Sequence, residues 1–361
     1  MMGSKNPILI GIGFLLAVYL IYIYPVRSLN HFFFGAEIFS LYSLLMTGPV
    51  AMLVFFYFRS HNTFWLLKDF TYLGLGCGFI GFWVVNVGLI LEAWNTVNPN
   101  SIGLGCVTLI IVTMLFSFLN SKFICIKKID LVSDKIQRSR RVVFLSDTHL
   151  GSNSKKHLLK IIKKLSEIEF DLIIIGGDFI DSSSFNLRDL GVLVEIDRPI
   201  LYITGNHEYY LQDYMKKLAT LSSLGVRLLE NKSFEIAGLN IIGVDDFQNL
   251  ASQENVVKEL IKESVFNLVV VHKPYLWNKK IEGVDLMLSG HTHNGQIFPF
   301  NLFIKLYSKQ TYGLYERLGS LLYVSSGSGC WGPKMRLGSR NEIVVLEISP
   351  DQEFNHPVAS G

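Results

Sequence analysis

The stretch Arg141-Val-Val-Phe-Leu-Ser-Asp-Thr-His149 sets the pattern for the second half of the chain: a short apolar run that stops on a polar block. The pattern recurs at Asp171-Leu-Ile-Ile-Ile-Gly-Gly-Asp178, Leu201-Tyr-Ile-Thr-Gly-Asn-His-Glu208, Leu268-Val-Val-Val-His272 and Leu286-Met-Leu-Ser-Gly-His-Thr-His293. Runs this short, rich in Val and Ile and bounded by Gly and polar residues, read as buried strands. Between them, residues 155–168 space Leu and Ile at helical intervals with lysines on the other face, and residues 209–221 read as a further helix. More strands are expected at 124–132, 240–244, 321–324 and 342–348. Short buried strands separated by helices indicate a layered α/β sandwich, and polar blocks that close strands put the chemistry in loops along one edge.

The blocks hold Asp147, His149, Asp178, Asn206, His207, His272, His291 and His293. Carboxylate, imidazole and amide donors together suit Mn²⁺, Fe²⁺ or Zn²⁺ better than Ca²⁺. Asp178 is placed to bridge two such ions. A lone Asp-x-His or Gly-Gly-Asp is a weak signal, whereas all five blocks in order are specific. Five of the nine histidines fall in them; His31, His61, His157 and His356 read as solvated bystanders.

With 361 residues the chain has room for about two domains. Apolar runs at 8–26, 38–58, 70–91 and 102–123 each approach the ~20 residues that cross a bilayer core. The first lacks a small-residue cleavage site and reads as an uncleaved anchor. Lys5, Arg59, Lys68, Lys122, Lys127 and Lys128 lie on one side of these spans and only Arg27 on the other, so both ends are expected in the cytoplasm. A net charge of +3 gives no reason to expect nucleic acid, and anionic headgroups account for the basic cluster. Cys77, Cys106, Cys125 and Cys330 show no disulfide or zinc spacing, which fits a reducing compartment.

In these blocks the chain resembles the calcineurin-like metallophosphoesterases over residues 124–349, most closely their bacterial membrane-anchored branch. The later residues Tyr312-Gly313, Tyr323, Gly327, Gly329, Pro333, Arg336 and Glu342 extend the likeness. The resemblance implies a four-layer αββα sandwich after a transmembrane region at 1–123, with a tail at 350–361. It also implies one metal on Asp147, His149, Asp178 and His293, and a second on Asp178, Asn206, His272 and His291. His207 would be catalytic, contacting phosphate and protonating the leaving group, with Asn206 also touching substrate. Asn294 and Glu208 depart from the family's usual Gly and Asp.

The implied reaction is in-line attack on phosphorus by a water activated between two divalent cations, with Mn²⁺ favoured over Fe²⁺ and Zn²⁺. The implied substrate is a membrane lipid or lipid-linked phosphate. UDP-2,3-diacylglucosamine stands first, cleaved to lipid X and UMP in lipid A biosynthesis at the bacterial inner membrane. Another phospholipid, an isoprenoid phosphate or a cyclic nucleotide are alternatives, as is a catalytically silent receptor. Aromatic residues at 297–307 suit either the lipid boundary or a cap packed on the sheets.

Overall fold

The computed structural model describes residues 6–60, 65–94 and 97–351. The chain divides into two compact units, Met1–Asn120 with Gly332–Leu337, and Ser121–Trp331 with Gly338–Gly361. Lys5, His61, His356 and nearly all of the expected tail lie outside the described residues.

In the helical unit, α1 (Pro7–Val18), a π-helical turn (Tyr19–Ile23) and α2 (Tyr24–Phe34) run on from one another. They are followed by α3 (Leu41–Ser60), α4 (Trp65–Ala93) and α5 (Pro99–Asn120). Among the described residues, four segments are long and apolar enough to cross a membrane: Pro7–Phe34, Leu41–Arg59, Leu66–Ala93 and Pro99–Asn120. The first outlasts its expected end at residue 26, because polar residues there bond locally instead of forming a loop. The Ser28 hydroxyl donates to the Tyr24 carbonyl at 2.9 Å, and His31, read as a solvated bystander, lies 3.1 Å from Glu92. Gly35, at φ 60°, then ends the helix. Pro25 has no N–H to offer the carbonyl of Ile21, and Gly78 of α4 packs so closely there that a β-carbon would sit 1.9 Å from that oxygen. Small residues at a helix crossing do this in membranes, where packing replaces the hydrophobic effect.

The second unit contains two six-stranded sheets. Its strands are β1 (Ile124–Ser133), β2 (Arg140–Leu145), β3 (Leu172–Gly176), β4 (Ile200–Ile203), β5 (Val226–Leu228) and β6 (Lys232–Ile236). They continue as β7 (Leu239–Val244), β8 (Phe266–Val271), β9 (Leu286–Ser289), β10 (Gly313–Arg317), β11 (Ser320–Val324) and β12 (Asn341–Pro350). One sheet runs β1-β12-β2-β3-β4-β5 and the other β10-β11-β9-β8-β7-β6. Strands β2 to β5 are mutually parallel, as are β7, β8, β9 and β11.

Both faces of the central strands are apolar, as expected for strands covered on each side. Phe144, Leu172, Ile174 and Leu201 meet Ile241, Leu268, Val270 and Leu288 between the sheets. Their sequence neighbours Val143, Ile173 and Ile175 pack outward on Leu158 and Ile161 of α6 (Lys155–Leu165) and on Leu218 of α7 (Tyr214–Ser223). On the far side, Ile242, Val269 and Val271 pack on Val257 of α8 (Leu250–Leu260). These layers are the αββα sandwich expected. His157, at the start of α6, is no bystander: its Nε2 is 2.7 Å from the Ser328 carbonyl.

One local expectation needs correction: the helix expected over 209–221 begins only at Tyr214, because Glu208–Tyr210 forms a 3-10 turn and Asp213 adopts φ 58°. The aromatic segment begins with Ile297, which is buried, and continues as α9 (Phe300–Tyr307), none of whose residues is buried.

Candidate metal centre

All five polar blocks leave the carboxyl ends of parallel strands: β2, β3 and β4 of one sheet, β8 and β9 of the other. Asp147, His149, Asp178, His291 and His293 all adopt left-handed φ between 50° and 72°. Each such turn costs a non-glycine residue about 1–2 kcal/mol, and strain of this kind is kept where it aims side chains at a site. Glycines admit the close approach between loops. A β-carbon on Gly205 would lie 2.6 Å from the Asp178 backbone nitrogen, and one on Gly290 would lie 1.9 Å from the Ser146 hydroxyl.

The side chains converge in overlapping groups. Asp147, His149 and His293 bring ligand atoms within 4.8 Å of one another, as do Asp178, His272 and His291, and also His149, Asp178 and His207. Asp178 Oδ2 is 3.0 Å from His272 Nε2, 3.8 Å from His149 Nε2 and 3.9 Å from His207 Nε2. Asp147 Oδ1 is 3.3 Å from His293 Nε2 and 3.9 Å from His272 Nε2. Asn206 lies between Gly205, whose amide donates to Glu208, and His207, whose amide donates to Asp178 Oδ1 at 2.8 Å. The third group also includes His207, which is expected to contact phosphate and protonate the leaving group and not to ligate a metal.

Residues beyond this set hold it in place. Glu208 is buried and accepts the backbone N–H groups of Asp178, Phe179, Ile180 and Gly205 at 2.7–3.1 Å, clamping the β3 and β4 loops together. In the sequence it stood out only as a departure from the family's Asp. Asp181 lies 3.2 Å from His149 Nδ1 and accepts the Ser152 amide at 2.8 Å. Its one sequence signal was a second carboxylate three residues after Asp178. His272 Nδ1 is 2.9 Å from the Gly176 carbonyl, which as acceptor fixes the N–H on Nδ1 and turns the Nε2 lone pair inward. The Asp147 carboxylate accepts the His291 amide at 3.0 Å and the Ser146 hydroxyl at 2.6 Å.

Charge in the cluster is strongly biased. Burial alone would raise Asp178, yet His272 beside it holds the carboxyl well below its usual range. Burial would lower His272, but Asp178 lifts it to about 10. Burial pushes His207 down to about 4, while burial and then His272 take His291 to about 3, so both are neutral at pH 7. His272 Nε2 and the Asn206 carbonyl oxygen are buried without a hydrogen-bond partner, His272 Nε2 despite its nearness to Asp178. Buried ligand atoms left over in a nest of carboxylates and imidazoles fit divalent cations, which would satisfy Asn206 and take the place of the proton that Asp178 otherwise holds on His272 Nε2. Exposed aromatic rings lie beside the cluster: Tyr210 and Trp331 at 5.6 and 5.8 Å from the His207 ring, and Tyr275 at 6.3 Å from the His291 ring.

Residues 140–295 match the family model for calcineurin-like phosphoesterases. The chain is 32% identical over 240 residues to an uncharacterized metallophosphoesterase of Helicobacter pylori, across 63% of this chain and 65% of the relative. It is 30% identical over 248 residues to an uncharacterized metallophosphoesterase of Aquifex aeolicus, across 64% of this chain and 95% of the relative. A transmembrane protein with metallophosphoesterase domain from Bos taurus is 32% identical over 239 residues, across 59% of this chain and 54% of the relative. The chain thus spans just under two thirds of the Helicobacter relative's length and about half of the bovine one. On the near full-length match to the Aquifex protein, and with its acidic and imidazole side chains gathered at the strand ends, this chain belongs to the calcineurin-like metallophosphoesterase family.

Proposed function

We propose that the protein is a membrane-embedded phosphoesterase that binds two divalent cations and hydrolyses a phosphate ester or pyrophosphate bond of a bilayer-associated substrate. The observation that carries this reading is that Asp178 belongs to two ligand groups, one with His272 and His291 and one with His149 and His207, and that His149 links it to a third with Asp147 and His293. Asp147, His149, Asp178 and His293 would hold one cation, and Asp178, Asn206, His272 and His291 the other, with Mn²⁺ proposed ahead of Fe²⁺ and Zn²⁺. Such a pair supplies neutralisation of phosphate charge and lowers the pKa of a bound water.

The chain's own residues supply position. Asp178 holds the His207 backbone with one oxygen and faces three imidazoles with the other. Glu208 keeps the two loops in register. His207 is the proposed contact to phosphate and leaving group; neutral at pH 7, it would act by donating its ring N–H and acquire a full proton only beside the substrate's negative charge.

UDP-2,3-diacylglucosamine is the first substrate to test, with cleavage on the cytoplasmic side of a bacterial inner membrane and no nucleic-acid partner. The apolar helices support a lipid substrate, and the rings of Tyr210 and Trp331 offer a surface on which a uracil could stack. Full-length protein in nanodiscs, supplied with Mn²⁺, is expected to hydrolyse bis-p-nitrophenyl phosphate and to lose that activity with chelator. A panel of UDP-linked and lipid phosphates read by mass spectrometry then tests the substrate. Hydrolysis of the aryl diester without cleavage of UDP-2,3-diacylglucosamine would remove only the substrate assignment. No hydrolysis of any phosphoester with Mn²⁺, Fe²⁺ or Zn²⁺ would remove the enzyme reading and leave a silent receptor.

A further inference from the structure

Helix α9 follows the His291-Thr-His293 loop by a few residues and presents an apolar surface outward. Phe298 and Leu302 are about half exposed, and Leu306 and Tyr307 are 79% and 88% exposed. Apolar side chains gain by leaving water, so a short helix exposing several of them calls for an apolar partner. Lys305 and Lys309 stand among them.

The place of α9 in its own unit matters as much as its composition. The chain passes between the two units after Asn120 and on either side of Gly332–Leu337. Within the catalytic unit, the residues flanking Gly332–Leu337 gather near the start of α9. The Trp331 amide donates to the Gln296 side chain at 3.0 Å, and that side chain donates back to the Trp331 carbonyl at 2.9 Å. Ser339 donates to the Gln296 carbonyl at 2.8 Å, and Gly338 lies against Phe298 and Asn301. Asn341 donates to the Ser121 carbonyl at 2.7 Å. The start of α9 therefore lies where the chain leaves the catalytic unit at Trp331 and returns to it at Gly338.

We infer that α9 is a lipid-contacting helix, seated at the boundary between headgroups and acyl chains of the membrane that the apolar helices cross. Leu302, Leu306 and Tyr307 enter the acyl boundary and Lys305 and Lys309 meet anionic headgroups. Because α9 is continuous with the loop that carries His291 and His293, this seating sets the candidate metal centre at headgroup height. The inference rests on the membrane reading of the helices. Its bearing on substrate rests on the proposed hydrolase activity as well.

The test uses Leu306→Cys in full-length protein whose four native cysteines are replaced by alanine, labelled with an environment-sensitive dye in phosphatidylcholine–phosphatidylglycerol vesicles. The expected result is blue-shifted emission, quenched by doxyl-labelled lipid and not by aqueous iodide. Iodide quenching with water-like emission would overturn the inference, as would shielding from both quenchers, which would mean a protein cover. A second arm compares the variant L306E/Y307E with wild type. Hydrolysis of a vesicle-borne phospholipid ester should fall about tenfold while that of bis-p-nitrophenyl phosphate holds, since lost apolar insertion weakens interfacial binding. Equal losses on both substrates would count against a lipid role. If wild type hydrolyses neither, the hydrolase proposal fails and the dye measurement still decides the position of α9.

Discussion

Asp178 divides its two oxygens between tasks, one holding the His207 amide at 2.8 Å and the other facing His272 at 3.0 Å. Asp178→Asn keeps an oxygen for the amide and removes the charge. Hydrolysis is expected to fall to background while circular dichroism is unchanged; near-wild-type turnover would contradict the proposed mechanism. Asp181, 3.2 Å from His149 Nδ1, is a supporting carboxylate. Asp181→Asn should weaken cation binding about 10–100-fold by calorimetry, the usual effect of losing an outer hydrogen bond to a ligand imidazole. Glu208→Gln would point an amide N–H₂ at backbone donors that now share a carboxylate, and each charge-assisted bond lost costs about 1.5–3 kcal/mol. A lower unfolding midpoint together with reduced turnover is expected. The residues proposed as ligands were legible in the sequence because their types are rare at the ends of apolar strands. Glu208 and Asp181 were not, since their partners are backbone amides and a ring nitrogen that only the folded loops bring near. The left-handed turns at five ligands left no mark that residue type could reveal.

Among elements, the central strands β2, β3, β4, β8 and β9 were readable because burial on both faces makes them uniformly apolar. Strands β5, β6 and β10 lie at or near sheet edges and mix exposed with half-buried residues, so no run marks them. Helix α8 escaped for a related reason: only Gln253 and Val257 of it are buried, which leaves a largely polar sequence. The helix expected from residue 209 starts late because Glu208 is drawn into the clamp on β3 and β4 and the chain must turn at Asp213 first. Packing between elements gives a test in the helical unit. Gly78→Leu would drive a side chain into the carbonyl of Ile21, backbone that cannot swing aside. Overpacking costs about 1–3 kcal/mol in a well-filled core, and a lower unfolding midpoint in detergent is the expected outcome. An unchanged midpoint would mean that α4 does not approach the first helix this closely.

For the molecule as a whole, two kinds of legibility differ. Four apolar segments and a sandwich with its motifs at strand ends follow from hydropathy and from apolar runs, and the structure contains both. The aromatic rings that rim the proposed ligands, Tyr210, Tyr275 and Trp331, come from loops distant in sequence. No local run in the sequence encodes such a rim. The central claim is that the side chains at the strand ends hold a pair of cations around Asp178. Its most direct test is anomalous scattering, at the manganese edge, from crystals of the full-length protein grown with Mn²⁺. Two peaks about 3.5–4 Å apart are expected, one beside Asp147, His149 and His293 and the other beside Asn206, His272 and His291, with Asp178 between them. A single peak, or none in this cluster at saturating Mn²⁺, would contradict the account.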